Sequence, residues 1–184
     1  MAHARTSQTH PLQIAEVRAS AAHGRIGITF CPGKHDHFAH TGAWERDLGI
    51  DLDLIAAWGA KLVLTLVEPA ELIALKVPTL GAEVHRRGIQ WCHLPIADYS
   101  VPGKKFEEQW LTQGQAVRAM LRQGDDVLVH CKGGLGRAGM MAARLLVELG
   151  MEPEAAIHAV RHVRKGAIET SAQLALVRRT VTQP

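Results

Sequence analysis

Val127-Leu128-Val129-His130-Cys131-Lys132-Gly133-Gly134-Leu135-Gly136-Arg137 is the stretch on which the fold turns. Its first four residues follow the turn signal Gly124-Asp125-Asp126 and read as a buried strand over Val127–His130. A glycine-rich turn comes next, and from Arg137 to Leu149 the apolar residues recur at helical spacing. Strand, glycine turn and helix together make an anion-binding arrangement. The glycines let successive backbone N–H groups turn into one concavity, and the helix start adds free N–H groups and the positive end of its dipole. Arg137 sharpens this reading, because a cation at a helix start opposes the dipole unless an anion offsets it. Cys131 stands at the strand end facing the same N–H groups, which favour its thiolate, the nucleophilic form of the side chain.

Outward from this stretch, short runs rich in valine, isoleucine and leucine alternate with segments of helical period. Strands are predicted at Ile14–Val17, Ile26–Phe30, Leu62–Leu66 and Ile89–Leu94, in addition to Val127–His130. Helices are predicted at Leu48–Trp58, Ala70–Leu75, Gly81–Arg87, Phe106–Arg122, Arg137–Leu149, Pro153–Arg164 and Ser171–Thr182, the last with Leu174, Val177 and Val181 on one face. The alternation predicts an α/β fold with a mainly parallel central sheet flanked by helices. A chain of 184 residues, 47% hydrophobic, fits one core: a single domain over 25–184 behind a partly ordered tail over 1–24. Ala97–Lys105, holding Pro102 and Gly103, is the expected mobile loop.

Composition removes several function classes. The formal charge of +3 is mild and its basic residues are scattered, so no nucleic-acid partner is expected. No window reaches the ~18 apolar residues of a membrane span, so no membrane partner is expected either. Cys31, Cys92 and Cys131 have no C-x-x-C spacing, which predicts neither a zinc site nor a disulfide framework and favours a reducing, cytoplasmic setting. His35, His37 and His40 are irregularly spaced in a polar stretch and read as a solvated loop.

Cys-x5-Arg preceded by His130 resembles the signature of the protein tyrosine and dual-specificity phosphatase superfamily, and among its members the cyclin-dependent-kinase-associated phosphatases and their bacterial relatives. The resemblance runs on through Arg46 to Leu72, with Asp51-Leu52, Gly59, Val63, Leu66 and Glu71-Leu72. It includes Trp91-Cys92-His93-Leu94-Pro95-Ile96-Ala97-Asp98, similar to the family's general-acid loop. It ends in Gly166-Ala167-Ile168-Glu169-Thr170 and Gln173, similar to its C-terminal glutamine segment.

The resemblance implies a phosphoric monoester hydrolase acting on a phosphorylated protein or small phosphate ester, with no metal or organic cofactor. Cys131 is the implied nucleophile, attacking phosphorus to form a phosphocysteine. Arg137 and the N–H groups of Lys132, Gly133, Gly134, Leu135 and Gly136 hold the equatorial oxygens. Asp98 is the implied general acid, worth roughly 10²–10⁴ in rate, and then the base for the hydrolytic water. His130 supports the loop by a hydrogen bond, and Gln173 orients the water. The family usually carries Ser or Thr after the arginine, where this chain has Ala138, so phosphocysteine is expected to accumulate.

Each residue also has a plainer reading. Asp98 suits a proline-flanked turn. Thr170-Ser171-Ala172-Gln173 suits a capping box. Arg161, Arg164 and Lys165 suit a solvated helix face. Lys132 is the single loop lysine where phosphoinositide phosphatases usually carry two, the other position here being Leu135. Gly134-Leu135-Gly136-Arg137-Ala138-Gly139 fits G-x-G-x-x-G, but too few residues remain to complete a dinucleotide-binding sheet. Met140-Met141 after Gly139 rules out a Walker loop. A rhodanese-type loop has no need of Asp98 or Arg137. The serious rival is a phosphate-binding module that has lost turnover.

Overall fold

The computed structural model describes residues 3–184. Strands β1 (Ala15–Val17) and β2 (Ile26–Thr29) are followed by a short hairpin, β3 (His35–Asp36) with β4 (Trp44–Glu45), and then by β5 (Ala60–Thr65), β6 (Gln90–His93) and β7 (Asp126–His130). The helices are α1 (Leu48–Trp58), α2 (Pro69–Ala74), α3 (Leu80–Arg86), α4 (Lys104–Arg122), α5 (Gly136–Glu148), α6 (Pro153–Val163) and α7 (Ser171–Arg179). The main sheet has the order β1-β2-β7-β5-β6, with β1 antiparallel and every other neighbour parallel. The mainly parallel sheet expected from the sequence is present.

Strand β7 lies in the middle of this sheet, and Val127, Leu128 and Val129 are fully buried, so its run is apolar without alternation. His130 is level with Thr29 of β2 on one side and Thr65 of β5 on the other. Three strands therefore end together, and their loops open on one carboxyl edge, where α/β sheets build sites. Helix α5 lies on β2 and β7 with α6 and α7 packed against it, while α1 and α3 cover β5 and β6. Local chemistry sets the helix limits. Asp47 caps α1 by accepting from Ile50 N–H at 2.8 Å, and Gly59, at φ 104°, ends it in the left-handed conformation.

Two expectations are corrected. The segment read as a partly ordered tail over 1–24 packs onto the domain from residue 5 onward; Met1 and Ala2 lie outside the described residues. Arg5 exchanges backbone hydrogen bonds with Ala43 and Glu45, Leu12 and Val17 join the core, and β1 extends the sheet. Of the histidines read as a solvated loop, His37 and His40 are exposed in the turn joining β3 to β4, as expected, and His35 alone lies in a strand, with His37 Nε2 3.3 Å from Glu45 Oε1. Helix α7 stops at Arg179, leaving Val181 64% exposed instead of on the apolar face.

Candidate active site

The turn after β7 is shaped by what its carbonyls do. The His130 oxygen accepts from Leu66 N–H at 3.1 Å, the Cys131 oxygen faces His130 Nδ1 at 3.2 Å, and the Lys132 oxygen accepts from Cys31 N–H at 3.2 Å and Lys34 Nζ at 3.3 Å. Arg164 takes two more, donating from Nη2 to the Gly133 oxygen and from Nε to the Gly134 oxygen, both at 3.0 Å. The Leu135 oxygen accepts from Gly139 N–H at 3.0 Å and Ile168 N–H at 3.2 Å. Six successive carbonyls are thus engaged from outside the loop, which leaves its N–H groups for the interior. Gly134 N–H donates to Cys131 Sγ at 3.2 Å. Gly134 itself, at φ 69°, lies so close to β2 that an added Cβ would stand 2.5 Å from the Thr29 carbonyl carbon, so glycine is required there.

Arg137 enters on the first turn of α5 and is 1% exposed. Its Nη1 donates to Glu71 Oε2 at 2.7 Å and to the Ile96 carbonyl at 3.0 Å; its Nη2 donates to Glu71 Oε1 at 2.9 Å and lies 3.1 Å from Asp98 Oδ1. Three of the five guanidinium N–H groups donate hydrogen bonds, two of them in a fork-to-fork pair with Glu71, and the second Nη2 N–H is left to the Asp98 ion pair. The fifth, on Nε, is buried without a partner. Burial pulls the Arg137 pKa down, but the Glu71 hydrogen bonds, with the nearby charges, outweigh it and hold the guanidinium above its usual value. Burial likewise works to raise the Glu71 carboxyl, and the bonds from Arg137 and the Glu68 N–H overcome it, leaving Glu71 below the usual carboxylate range.

Asp98 is half exposed on a turn closed by Ser100 N–H donating to the Ala97 carbonyl at 3.1 Å, with Tyr99 at φ 55°. The loop expected to be mobile is tied at this point to α7, because Gln173 Nε2 donates to the Ser100 carbonyl at 3.1 Å. Gln173 also forms the capping box: its Oε1 accepts from Glu169 N–H at 2.9 Å and Thr170 N–H at 3.2 Å, and its own N–H donates to Thr170 Oγ1. Both amide groups of Gln173 are therefore committed in this arrangement.

His130 is fully buried between strands, and burial drives its pKa down to about 4, so the ring is neutral at ordinary pH. A carbonyl only accepts, so Nδ1 carries the proton toward the Cys131 oxygen, and Nε2 accepts from the Thr65 hydroxyl at 2.7 Å. Thr65 Oγ1 accepts in turn from Trp91 Nε1 at 2.8 Å. Three side chains on β6, β5 and β7 thereby brace the cysteine from behind. Lys132, 42% exposed, faces Asp36 Oδ2 at 3.8 Å.

The structure brings Cys131, Lys132 to Arg137, Asp98, His130 and Gln173 to one edge of the sheet. It adds residues the sequence reading gave no role. Glu71 presets Arg137, and Arg164, read as part of a solvated face, clamps two loop carbonyls from 30 residues away. Nothing in the sequence around Arg164 marks that contact, which the docking of α6 creates. Arg161 is also engaged, donating to the carbonyls of Ala167 and Ile168. Burial pushes the Cys92 thiol up to about 11 and pushes the Cys31 thiol up as well; all three cysteines are free.

Comparison with known proteins adds the lineage. A family model described as the Swiss Army Knife protein DSP-PTPase phosphatase domain matches residues 46–177, well over half of the chain. The chain belongs to that family. As a DSP-PTPase domain it is 36% identical over 156 residues to protein tyrosine phosphatase type IVA 3 of Mus musculus, covering 85% of this chain and 79% of that protein. It is 32% identical over 134 residues to cyclin-dependent kinase inhibitor 3 of Rattus norvegicus, covering 70% and 61%. The match to type IVA 3 of Homo sapiens spans 58% of that protein's length. Among solved structures, kinase associated phosphatase with its catalytic cysteine replaced by serine superposes with a TM-score of 0.78 at 27% identity, covering 91% of this chain and 92% of that one. Tk-PTP in its active form superposes at 0.67 with 28% identity, covering 90% and 95%. Among the described residues, no helix is long and apolar enough to cross a membrane.

Proposed function

We propose that this DSP-PTPase domain is a cysteine-dependent phosphomonoester hydrolase acting on phosphotyrosine, or on phosphotyrosine, phosphoserine and phosphothreonine, in proteins. The observation that carries the reading is Arg137. A guanidinium 1% exposed, preset by Glu71 and left with one buried, unpartnered N–H, adjoins a loop whose carbonyls all point outward. That combination suits a dianion. The phosphoryl group enters among the loop N–H groups and takes the free Nε–H. It also competes with Asp98 for Nη2, which frees the carboxyl to turn toward the leaving oxygen.

Cys131 Sγ attacks phosphorus, forming the S–P bond as the P–O ester bond breaks, and the departing oxygen takes the Asp98 proton. Water then attacks the phosphocysteine and gives its proton to Asp98, the S–P bond breaks, and phosphate leaves. Gln173 serves first by holding the Asp98 loop through the Ser100 carbonyl. Lys132 has Asp36 for company, and Leu135 offers no second charge, which favours protein phosphoesters over phosphoinositides. The type IVA 3 phosphatase and the kinase associated phosphatase among its relatives support a protein substrate. Three free thiols support a reducing, cytoplasmic setting.

The test is hydrolysis of a generic aryl phosphate by the parent, Cys131→Ser and Asp98→Asn, with vanadate as inhibitor. The parent should turn over and be blocked by vanadate, Cys131→Ser should be inactive, and Asp98→Asn should lose roughly 10²-fold or more. A parent as inactive as Cys131→Ser makes the domain a phosphate-binding module instead.

A further inference from the structure

Beside the loop lies a second buried cation that the hydrolytic chemistry has not used. Lys34 is 4% exposed, and its Nζ donates to the Lys132 carbonyl at 3.3 Å. The same ammonium stands 4.7 Å from the centre of the Phe30 ring and 5.6 Å from that of Trp44. An ammonium has three N–H donors, and this one makes a single long hydrogen bond against two aromatic faces. The acid beside it in sequence, Asp36, is turned to Lys132. A buried charge so thinly paired is costly to keep, unless the loop supplies its partner.

Its position is built from both sides. Gly33, at φ 69° with room for no Cβ beside Leu48, donates its N–H to Asp51 Oδ2 at 2.8 Å. Asp51 holds Arg46 through two hydrogen bonds of 2.8 Å, and the Arg46 N–H reaches the Lys34 carbonyl at 3.2 Å. On the other side, Cys31 N–H shares the Lys132 carbonyl that Lys34 takes.

We propose that Lys34 is a positioning residue for phosphoryl transfer: it pins the Lys132 carbonyl outward and supplies a fixed positive charge that is matched when the loop holds an anion. The idea takes its substrate from the hydrolase reading, but its test needs no turnover. Cys31, Asp36, Arg46, Asp51, Cys131 and Lys132 are the charged or titratable groups around this ammonium. Burial draws its pKa below the usual lysine value, Lys132 adds to that, and Asp36, Cys31 and Cys131 oppose it. An anion in the loop opposes the effect of burial and favours the charged ammonium.

The experiment compares the full chain with Lys34→Met and Lys34→Arg by calorimetric titration of vanadate, by iodoacetamide alkylation of Cys131 across pH, and by melting temperature. In Lys34→Met, vanadate binding should weaken about tenfold, the effect of removing one nearby charge. Alkylation at neutral pH should slow by a similar factor and recover at higher pH, with melting unchanged or raised, while Lys34→Arg restores most of the binding. Lys34→Met binding vanadate within twofold of the parent overturns the proposal, as does a loss shared equally by Lys34→Arg. A parent that binds vanadate without hydrolysing aryl phosphate refutes the hydrolase reading and leaves the Lys34 comparison decisive.

Discussion

Replacing Glu71 by glutamine isolates what holds Arg137. The glutamine keeps one acceptor oxygen but turns an amide NH2 toward a guanidinium N–H, so a donor faces a donor where a charged hydrogen bond stood. Removing one side of a buried ion pair costs about 3–5 kcal/mol. The Glu71 side chain is 20% exposed and Asp98 remains beside Nη2, so about 2 kcal/mol is expected here. For a domain of this size that corresponds to roughly 4–8 °C in melting temperature. The pH dependence follows from the sign of the shift. The folded Glu71 carboxyl lies below its usual range, so its stabilisation is complete above the unfolded value of about 4.3 and is lost as pH falls through the lower folded value. The melting difference between parent and Glu71→Gln should be full at pH 7 and shrink below about pH 4. The kcat/KM for an aryl phosphate should fall about 10²-fold at pH 7, because the guanidinium is no longer held in place. Circular-dichroism melts at both pH values, with steady-state kinetics, check all three. Coincident melting curves at pH 7, or a difference unchanged at acid pH, refute the account.

Four further outcomes are expected. Ala138, fully buried behind Arg137, offers no hydroxyl to the departing sulfur; Ala138→Ser should raise steady-state turnover, and a rapid-quench burst present in the parent should diminish. Thr65→Val removes the partner of both His130 Nε2 and Trp91 Nε1 and should cost about 1–3 kcal/mol by chemical denaturation. His130 should stay neutral in the native state from pH 7 to 5 by NMR; as the unfolded chain takes up its proton first, stability falls as pH drops from the ordinary value of 6.5 toward about 4. Gly134→Ala, forced against Thr29 at positive φ, should cost about 3 kcal/mol or more and abolish vanadate binding.

Where function rests on adjacent residues, the sequence is readable. The run from Val127 to Arg137 contains its own strand, turn and helix start, and the cap at Asp47 with the stop at Gly59 sets α1 from one end to the other. What escapes is made by chain segments meeting. Strands of two residues, as in β3 and β4, are too short to show a period, yet they carry Asp36 to Lys132. Arg164 and Lys34 look like ordinary surface cations until α6 and the Cys31–Lys34 segment dock on the loop. Leu12 lies outside every predicted element, and only docking of the strand after it on the open edge of β2 explains its burial. Gln173 forms the capping box that the sequence offered, and its remaining amide N–H goes to the Ser100 carbonyl of the Asp98 loop, a contact that depends on how α7 docks.

The line from Trp91 through Thr65 and His130 to the Cys131 carbonyl has a direction: each group donates to the next, and none can reverse without the imidazole changing tautomer. An indole on the edge strand is thereby wired to the peptide that bears the sulfur. An event that repolarises that peptide should alter the pull on the indole N–H, so Trp91 emission, isolated by replacing Trp44, Trp58 and Trp110 with phenylalanine, is expected to change when the loop is filled.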